Sequence, residues 1–331
     1  MVKYCIPMGD PAGIGPEIVL KALSQWERGG LLVVGDEELF RKTANDCDLE
    51  FPFDQVISTT QEVEDALQSY SKVLLTKKLV DLDTFEYGVV SSQGGRGAYE
   101  ALKIATTLTL EGVTDALVTT PLNKESLRAA QINHIGHTEI LGELTSASAP
   151  VTMFETLGLK IFFMTRHLSL KAACEAVTEE TVYSSIKECY ALSERFGFER
   201  HLPFAVAALN PHAGDGGLFG DEEQVAIIPA IESSRREGLN VVGPIGADSV
   251  FHQAKVGHYR AVLSLYHDQG HIASKTLDFE RTVSVTWNLP FLRTSVDHGT
   301  AFDIAGKGIA SEVSLLEALK VAERYLKEDL K

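Results

Sequence analysis

Short apolar runs bounded by glycine, proline or charge alternate along this chain with longer stretches whose apolar residues recur every third or fourth position. The short runs predict strands at Tyr4–Met8, Leu31–Val34, Lys72–Leu75, Ala116–Thr119, Lys160–Met164, Phe204–Leu209, Asn240–Val242, Arg260–Leu265 and Thr282–Thr286. The longer stretches predict helices at Pro16–Trp26, Gly97–Glu111, Thr181–Phe196, Glu222–Glu237 and Val313–Lys327. In the fourth of these, Val225, Ile228 and Ile231 make an apolar stripe with charge opposite. Strand and helix in alternation predict a mostly parallel sheet covered on both faces. No repeat, low-complexity tract or linker interrupts the pattern, so two domains would either share a close interface or be discontinuous in sequence.

A length of 331 residues suggests about two domains. The net charge of −16 argues against a nucleic-acid footprint or a basic membrane patch. An anionic ligand would have to be captured by a few well-placed cations against that field. Cys5, Cys47, Cys174 and Cys189 are scattered with no CxxC spacing, which fits a reducing compartment better than a disulfide framework. The start, MVKYCIPMGDPAG, has no apolar leader, and no apolar run reaches the ~18–20 residues of a membrane helix. The expectation is a soluble, cytoplasmic protein.

Candidate chemistry concentrates where apolar runs end, which is where open α/β sheets bind ligands. Three histidines share that context: His167 in TRH, His212 in NPHAG and His267 in YHDQG. Singly each reads as an ordinary structural or exposed histidine. Three in matching positions suit a divalent ion with open coordination positions, provided the fold brings them together. Gly136-His137-Thr138-Glu139 reads as a helix start with Thr138 as cap and His137 facing a ligand. Lys275, eight residues past His267, and Arg293 in LPFLRTS are candidate anion contacts. The glycine-rich MGDPAGIGPE places Pro16 at a helix start; it reads equally as an anion-binding junction or as a tight turn. Asp297-His298-Gly299-Thr300-Ala301-Phe302-Asp303 forms a polar, glycine-rich loop able to wrap an adenosine group.

Taken in order, MGDPAGIGPE, TTPLNK, GHTE, NPHAG, YHDQG and LPFLRTSVDHGTA resemble the 4-hydroxythreonine-4-phosphate dehydrogenase family, including its D-threonate and D-erythronate 4-phosphate dehydrogenase paralogues. HGTAFDIAGKG is similar to the adenosine-binding loop of the β-decarboxylating dehydrogenases. The resemblance implies an α/β fold like isocitrate and isopropylmalate dehydrogenase, with two α/β/α domains and an active-site cleft between them. The expected boundaries are 1–130 plus 295–331 for a first, discontinuous domain, and 131–294 for a second carrying the metal ligands and a homodimer interface. It further implies His167, His212 and His267 as ligands of one divalent ion (zinc, cobalt, magnesium or manganese), one of them supplied across the dimer. His137, Thr138, Lys275, Ser284 and Arg293 fall on substrate contacts, and His298, Gly299, Thr300 and Asp303 on NAD contacts. Lys275, with Asp248 or Asp268, is the candidate for proton transfer, and the two aspartates are alternatively orienters of ligating histidines.

The implied activity is NAD-dependent oxidation of the 3-hydroxyl of 4-hydroxythreonine 4-phosphate and β-decarboxylation, in pyridoxine biosynthesis. The alternative is the same chemistry on D-threonate or D-erythronate 4-phosphate in sugar-acid breakdown. The chain departs from the biosynthetic pattern at Ser284, where that pattern has asparagine, at His271-Ile272-Ala273-Ser274 and at Trp287-Asn288. A metal-dependent aldolase or hydrolase, or a catalytically silent homologue, would be different classes; the adenosine-like loop and the retained polar set speak against them.

Overall fold

The computed structural model describes residues 2–134, 136–147 and 149–329. Its strands are β1 (Tyr4–Pro7), β2 (Leu31–Gly35), β3 (Gln55–Ile57), β4 (Lys72–Thr76), β5 (Ala116–Thr119), β6 (Val151–Thr156), β7 (Leu159–Phe163), β8 (Phe204–Ala207), β9 (Val241–Ile245), β10 (Ala261–Ser264), β11 (Thr282–Trp287) and β12 (Leu292–Val296). The chain divides into two compact units, residues up to Pro150 with Val283–Leu326, and Val151–Thr282 with the chain's last residues.

In the first unit the strand order is β3-β4-β2-β1-β5-β12-β11. All of these pairs are parallel except the β11–β12 hairpin. β1, β2 and β5 are apolar and buried along their whole length, as a strand covered on both faces must be. Helix Gly15–Gln25 follows β1 with its proline in the first turn, where a missing N–H costs nothing. Here the glycine-rich junction is a tight turn. The amides of Ala12, Gly13 and Ile14 are already taken by Asp10 Oδ1, Asp10 O and Thr300 O, each at 3.0 Å.

The second unit runs β6-β7-β10-β8-β9, parallel apart from the β6–β7 hairpin. Leu157 and Gly158, both at positive φ, make that hairpin's tight turn. Its core gathers Phe154, Ile161 and Phe163 from the hairpin with Ala205, Val262 and Phe251.

The first boundary falls at 150/151, against the expected 130/131, because helix His137–Thr145 packs on helix Ser92–Leu110 of the first unit. The second falls at 282/283, against 294/295, because β12 pairs with β5 and carries β11 with it. Residues 1, 135, 148, 330 and 331 of the expected ranges lie outside the described residues. The stripe expected at Val225, Ile228 and Ile231 is also displaced. A turn of π-helix at Glu223–Ile227 precedes helix Ile228–Arg236, leaving Val225 61% exposed and burying Glu223, Ala226 and Ile227. The extra residue in that turn breaks the 3.6-residue period on which the stripe rests. Among the described residues no helix is long and apolar enough to cross a membrane.

Candidate functional site

The second unit places its histidines by strand adjacency. β7, β10 and β8 are parallel neighbours, with Phe163 opposite Ser264 and Val206 opposite Leu263. His167, His267 and His212 each follow the carboxyl end of one of these strands by three to five residues. Thr165 Oγ1 donates to Leu265 O at 2.8 Å, tying the first two exits together. The rings of His167 and His267 then lie 6.3 Å apart, centre to centre. The ring of His212 packs beside Phe219 at 6.3 Å. Among the described residues of one chain, no group of three or more His, Cys, Asp or Glu side chains forms a cage for a metal ion.

YHDQG, for which the sequence pattern predicts no element, is the start of a helix. Tyr266 is extended at the cap and His267 is the first residue of helix His267–Leu277. The helix lies directly on the sheet at Gly270, where a Cβ would come within 2.5 Å of Phe163 Cε1 and 2.8 Å of Ser264 Oγ. Gln269, buried, accepts from Leu265 N–H and donates to Ala208 O, both at 2.8 Å, which latches the ends of β10 and β8.

Asp268 Oδ1 lies 2.6 Å from His267 Nδ1. A carboxylate on Nδ1 fixes the tautomer that leaves Nε2 as the lone-pair donor, the arrangement of a metal-ligating histidine. His271, one turn on, stacks its ring on that of His267 at 3.6 Å and 12° and meets Phe154 and Phe163 at 4.4 and 4.6 Å. Burial among these rings, helped by the charges of His267 and Lys275, pushes the pKa of His271 down to about 4, so it is a neutral packing surface. Its i, i+4 spacing from His267 is the signal in the sequence that would have found it, once the segment is known to be helical. Lys275 continues the same helix face, its ammonium 5.2 Å from the Phe279 ring. Asp248 lies in the first turn of helix Ala247–Lys255, and a groove of about 530 Å³ between the two helices is lined by Asp248, Asp268, Tyr266, Gln269, Phe251 and Ile272.

His212 stands in a left-handed turn, with positive φ from His212 through Gly216. Non-glycine residues in that region cost of order 1–3 kcal/mol each and persist only where their surroundings over-determine them.

In the first unit Arg293 is neither a loop residue nor a surface charge. It lies inside β12, opposite Leu117 and Thr286, and is 4% exposed. Its guanidinium donates to Thr119 Oγ1 (2.8 Å) and Thr286 Oγ1 (2.9 Å). Pairing also puts Ser284 opposite Ser295, so Ser284, Thr286, Arg293, Ser295 and Thr119 share one hydroxyl-rich face. His137 joins this group. Burial first, and the Arg293 charge second, hold its imidazole well below its ordinary pKa, and it hydrogen-bonds the Thr120 backbone. The expected cap, Thr138, is the second residue of its helix. The cap is Gly136, whose extended backbone (φ 173°) lets the chain enter without a side-chain bond.

TTPLNK, unassigned by the sequence reading, is the hub of this unit. Besides Thr119 on Arg293, Asn123 Oδ1 caps helix Lys124–Ala129 and its Nδ2 reaches Thr300 Oγ1 at 3.5 Å. In the following loop His298 Nδ1 sits 3.0 Å from Gly299 O, while its Nε2 is buried with no hydrogen-bond partner among the described residues. Gly299 and Asp303 are exposed and Thr300 is buried. An orphaned imidazole nitrogen beside exposed loop residues fits a nucleotide, whose polar edge would complete it.

The family model for the pyridoxal phosphate biosynthetic protein PdxA matches residues 27–322. A Fusobacterium nucleatum protein named "Putative D-threonate 4-phosphate dehydrogenase" is 51% identical, over 98% of this chain and 97% of its own. A Clostridium botulinum protein of the same name is 49% identical over 97% and 96%. The crystal structure of 4-hydroxythreonine-4-phosphate dehydrogenase from Klebsiella pneumoniae superimposes with a TM-score of 0.86 at 36% identity, covering 98% of both chains. Fold and relatives together define an oxidoreductase of the α/β class. Within that class the chain belongs to the PdxA family.

Proposed function

We propose that the protein oxidises the 3-hydroxyl of D-threonate 4-phosphate, or its epimer D-erythronate 4-phosphate, with NAD and one divalent cation, and that the resulting β-keto acid loses CO2. The observation that carries this reading is the placement of three imidazoles past the ends of three adjacent parallel strands, one already oriented by a carboxylate. The sugar-acid substrate is preferred because the relatives near 50% identity carry that name, whereas the biosynthetic enzyme of known structure stands at 36%. Ser284, in place of asparagine, changes the side chain offered to the substrate's 2-position.

His167, His212 and His267 hold the cation, with one of them contributed by the second chain of a homodimer. Asp268 keeps His267 in the ligating tautomer, and His271 supports its ring plane. Arg293 supplies the charge that holds the 4-phosphate, with His137 and Thr138 beside it, which fixes C3 for reaction. His298, Gly299, Thr300 and Asp303 receive the adenosine part of NAD. When bound, the cation would supply stabilisation of negative charge on the substrate oxygen, and NAD would supply the hydride acceptor for C3. Lys275 Nζ accepts the proton of the 3-hydroxyl, with Asp248 or Asp268 as its route to water, and a proton returns to C2 after CO2 leaves. The carbon product is a three-carbon ketone phosphate.

A second reading is 4-hydroxythreonine 4-phosphate as substrate, favoured by the description of the matching family model. Parallel assays of NADH formation with the two substrates and added Co2+, Zn2+ or Mg2+ separate them. A kcat/KM at least about tenfold higher for the sugar acid is expected, since one mismatched polar contact is worth about 1.4 kcal/mol or more. The reverse order gives the second reading, and no NADH from either removes both.

A further inference from the structure

The turn that carries His212 is paradoxical as packing. His212, Ala213, Gly214, Asp215 and Gly216 hold φ values of 55°, 55°, 78°, 43° and 69°, a conformation that three of the five disfavour. Yet His212, Asp215 and Gly216 are exposed, as are Leu218 and Phe219 beyond them. The core therefore does not require this shape. What holds it lies underneath. Glu223 is 1% exposed; its Oε1 accepts the backbone N–H groups of Leu209 (2.8 Å) and Asn210 (2.7 Å), and its Oε2 accepts Asn210 Nδ2 (2.9 Å). Gly214 closes on the same carboxylate, since a Cβ there would sit 2.8 Å from Oε2. The π turn that displaces Val225 outward is what aims Glu223 inward.

We propose that Glu223 is the positioning residue of His212: its carboxylate clamps the residues leaving β8 and so holds the left-handed turn in the shape that presents His212 to a divalent cation. The proposal rests on the reading of His212 as a ligand. It requires a carboxylate rather than an amide. Three donors converge on two oxygens, and glutamine would set its own NH2 against Asn210 Nδ2, donor facing donor.

The test uses the full-length protein and Co2+ alone, without substrate or NAD. In Glu223→Gln, calorimetric titration is expected to show Co2+ binding weakened about tenfold or more, equal to about 1.4 kcal/mol. The visible d–d band of the bound ion shifts, while far-UV circular dichroism is unchanged. Adding Ala213→Gly to that variant, which removes the penalty of positive φ at one position, is expected to recover part of the affinity and of the band. A clamp that merely stabilised the fold would lower the melting temperature and leave band and affinity alone, which overturns the proposal. His212→Ala separates the two levels. If it binds Co2+ like the unaltered protein, the metal reading itself fails; if it loses Co2+ while Glu223→Gln keeps full affinity and spectrum, only the role of Glu223 fails. Should Glu223→Gln not fold, Gly214→Ala drives a methyl group onto the same carboxylate from the turn side. Weakened Co2+ binding there supports the clamp, and unaltered binding refutes it.

Discussion

Two imidazoles, one in each unit, are kept neutral by burial for different ends. His271 makes a flat, uncharged surface against which His267 lies. His137 sits beside the Arg293 guanidinium, where a second positive charge would be repelled. Its effect on stability has a definite sign. The unfolded chain takes up a proton at His137 near pH 6.5, and the folded chain refuses it until far lower pH. The unfolded state therefore binds more protons in that window, so this contribution is intact above about pH 6.5 and is lost as the pH falls below it. His137→Gln is expected to flatten the pH dependence of stability below about pH 6.5, read by urea unfolding at a series of pH values. A slope equal to that of the unaltered protein would show that His137 is not held neutral. At this scale the sequence was informative about identity and poor about setting. Arg293 stood out as a candidate cation, but its neighbours Thr294 and Ser295 masked the strand around it. Only pairing with β5 and β11 reveals that the guanidinium is buried among hydroxyl groups.

Among the elements, adjacency is what counts. Apolar runs such as Ala116–Thr119 and Leu31–Val34 are visible as strands because both faces are covered and every position but the terminal Thr119 is apolar. β6 and β12 escaped that rule, one in a hairpin with a glutamate and two threonines, the other with a polar face. No periodicity tells that β7, β10 and β8 are neighbours, so the sequence placed each histidine at a strand end but not beside the others. Gln269 is the residue that makes two of those ends act together. Replacing it with leucine leaves the Leu265 N–H and the Ala208 carbonyl buried without partners, at about 1–3 kcal/mol each. Gln269→Leu is therefore expected to be destabilised by about 2–6 kcal/mol in urea unfolding, with Co2+ affinity reduced as well. A loss below about 0.5 kcal/mol, the size of an ordinary surface substitution, would mean the latch is not a restraint.

For the whole molecule, a net charge of −16 makes the local placement of cations decisive, since the summed field repels a phosphorylated acid. The first unit holds the buried Arg293, the neutral His137 and the loop with His298. The second holds His167, His212 and His267, with Asp268 on His267, and Lys275. The boundaries of the units depend on long-range pairing that a local pattern does not carry. The central claim is that His167, His212 and His267 share one cation. Anomalous diffraction at the cobalt edge, from crystals grown with Co2+, tests it most directly. The account expects one strong peak per site with a nitrogen of each of the three imidazoles at about 2.1 Å, counting rings from both chains of a dimer. Cobalt bound elsewhere, or a peak that one or more of these three rings fails to reach in either chain, would contradict it.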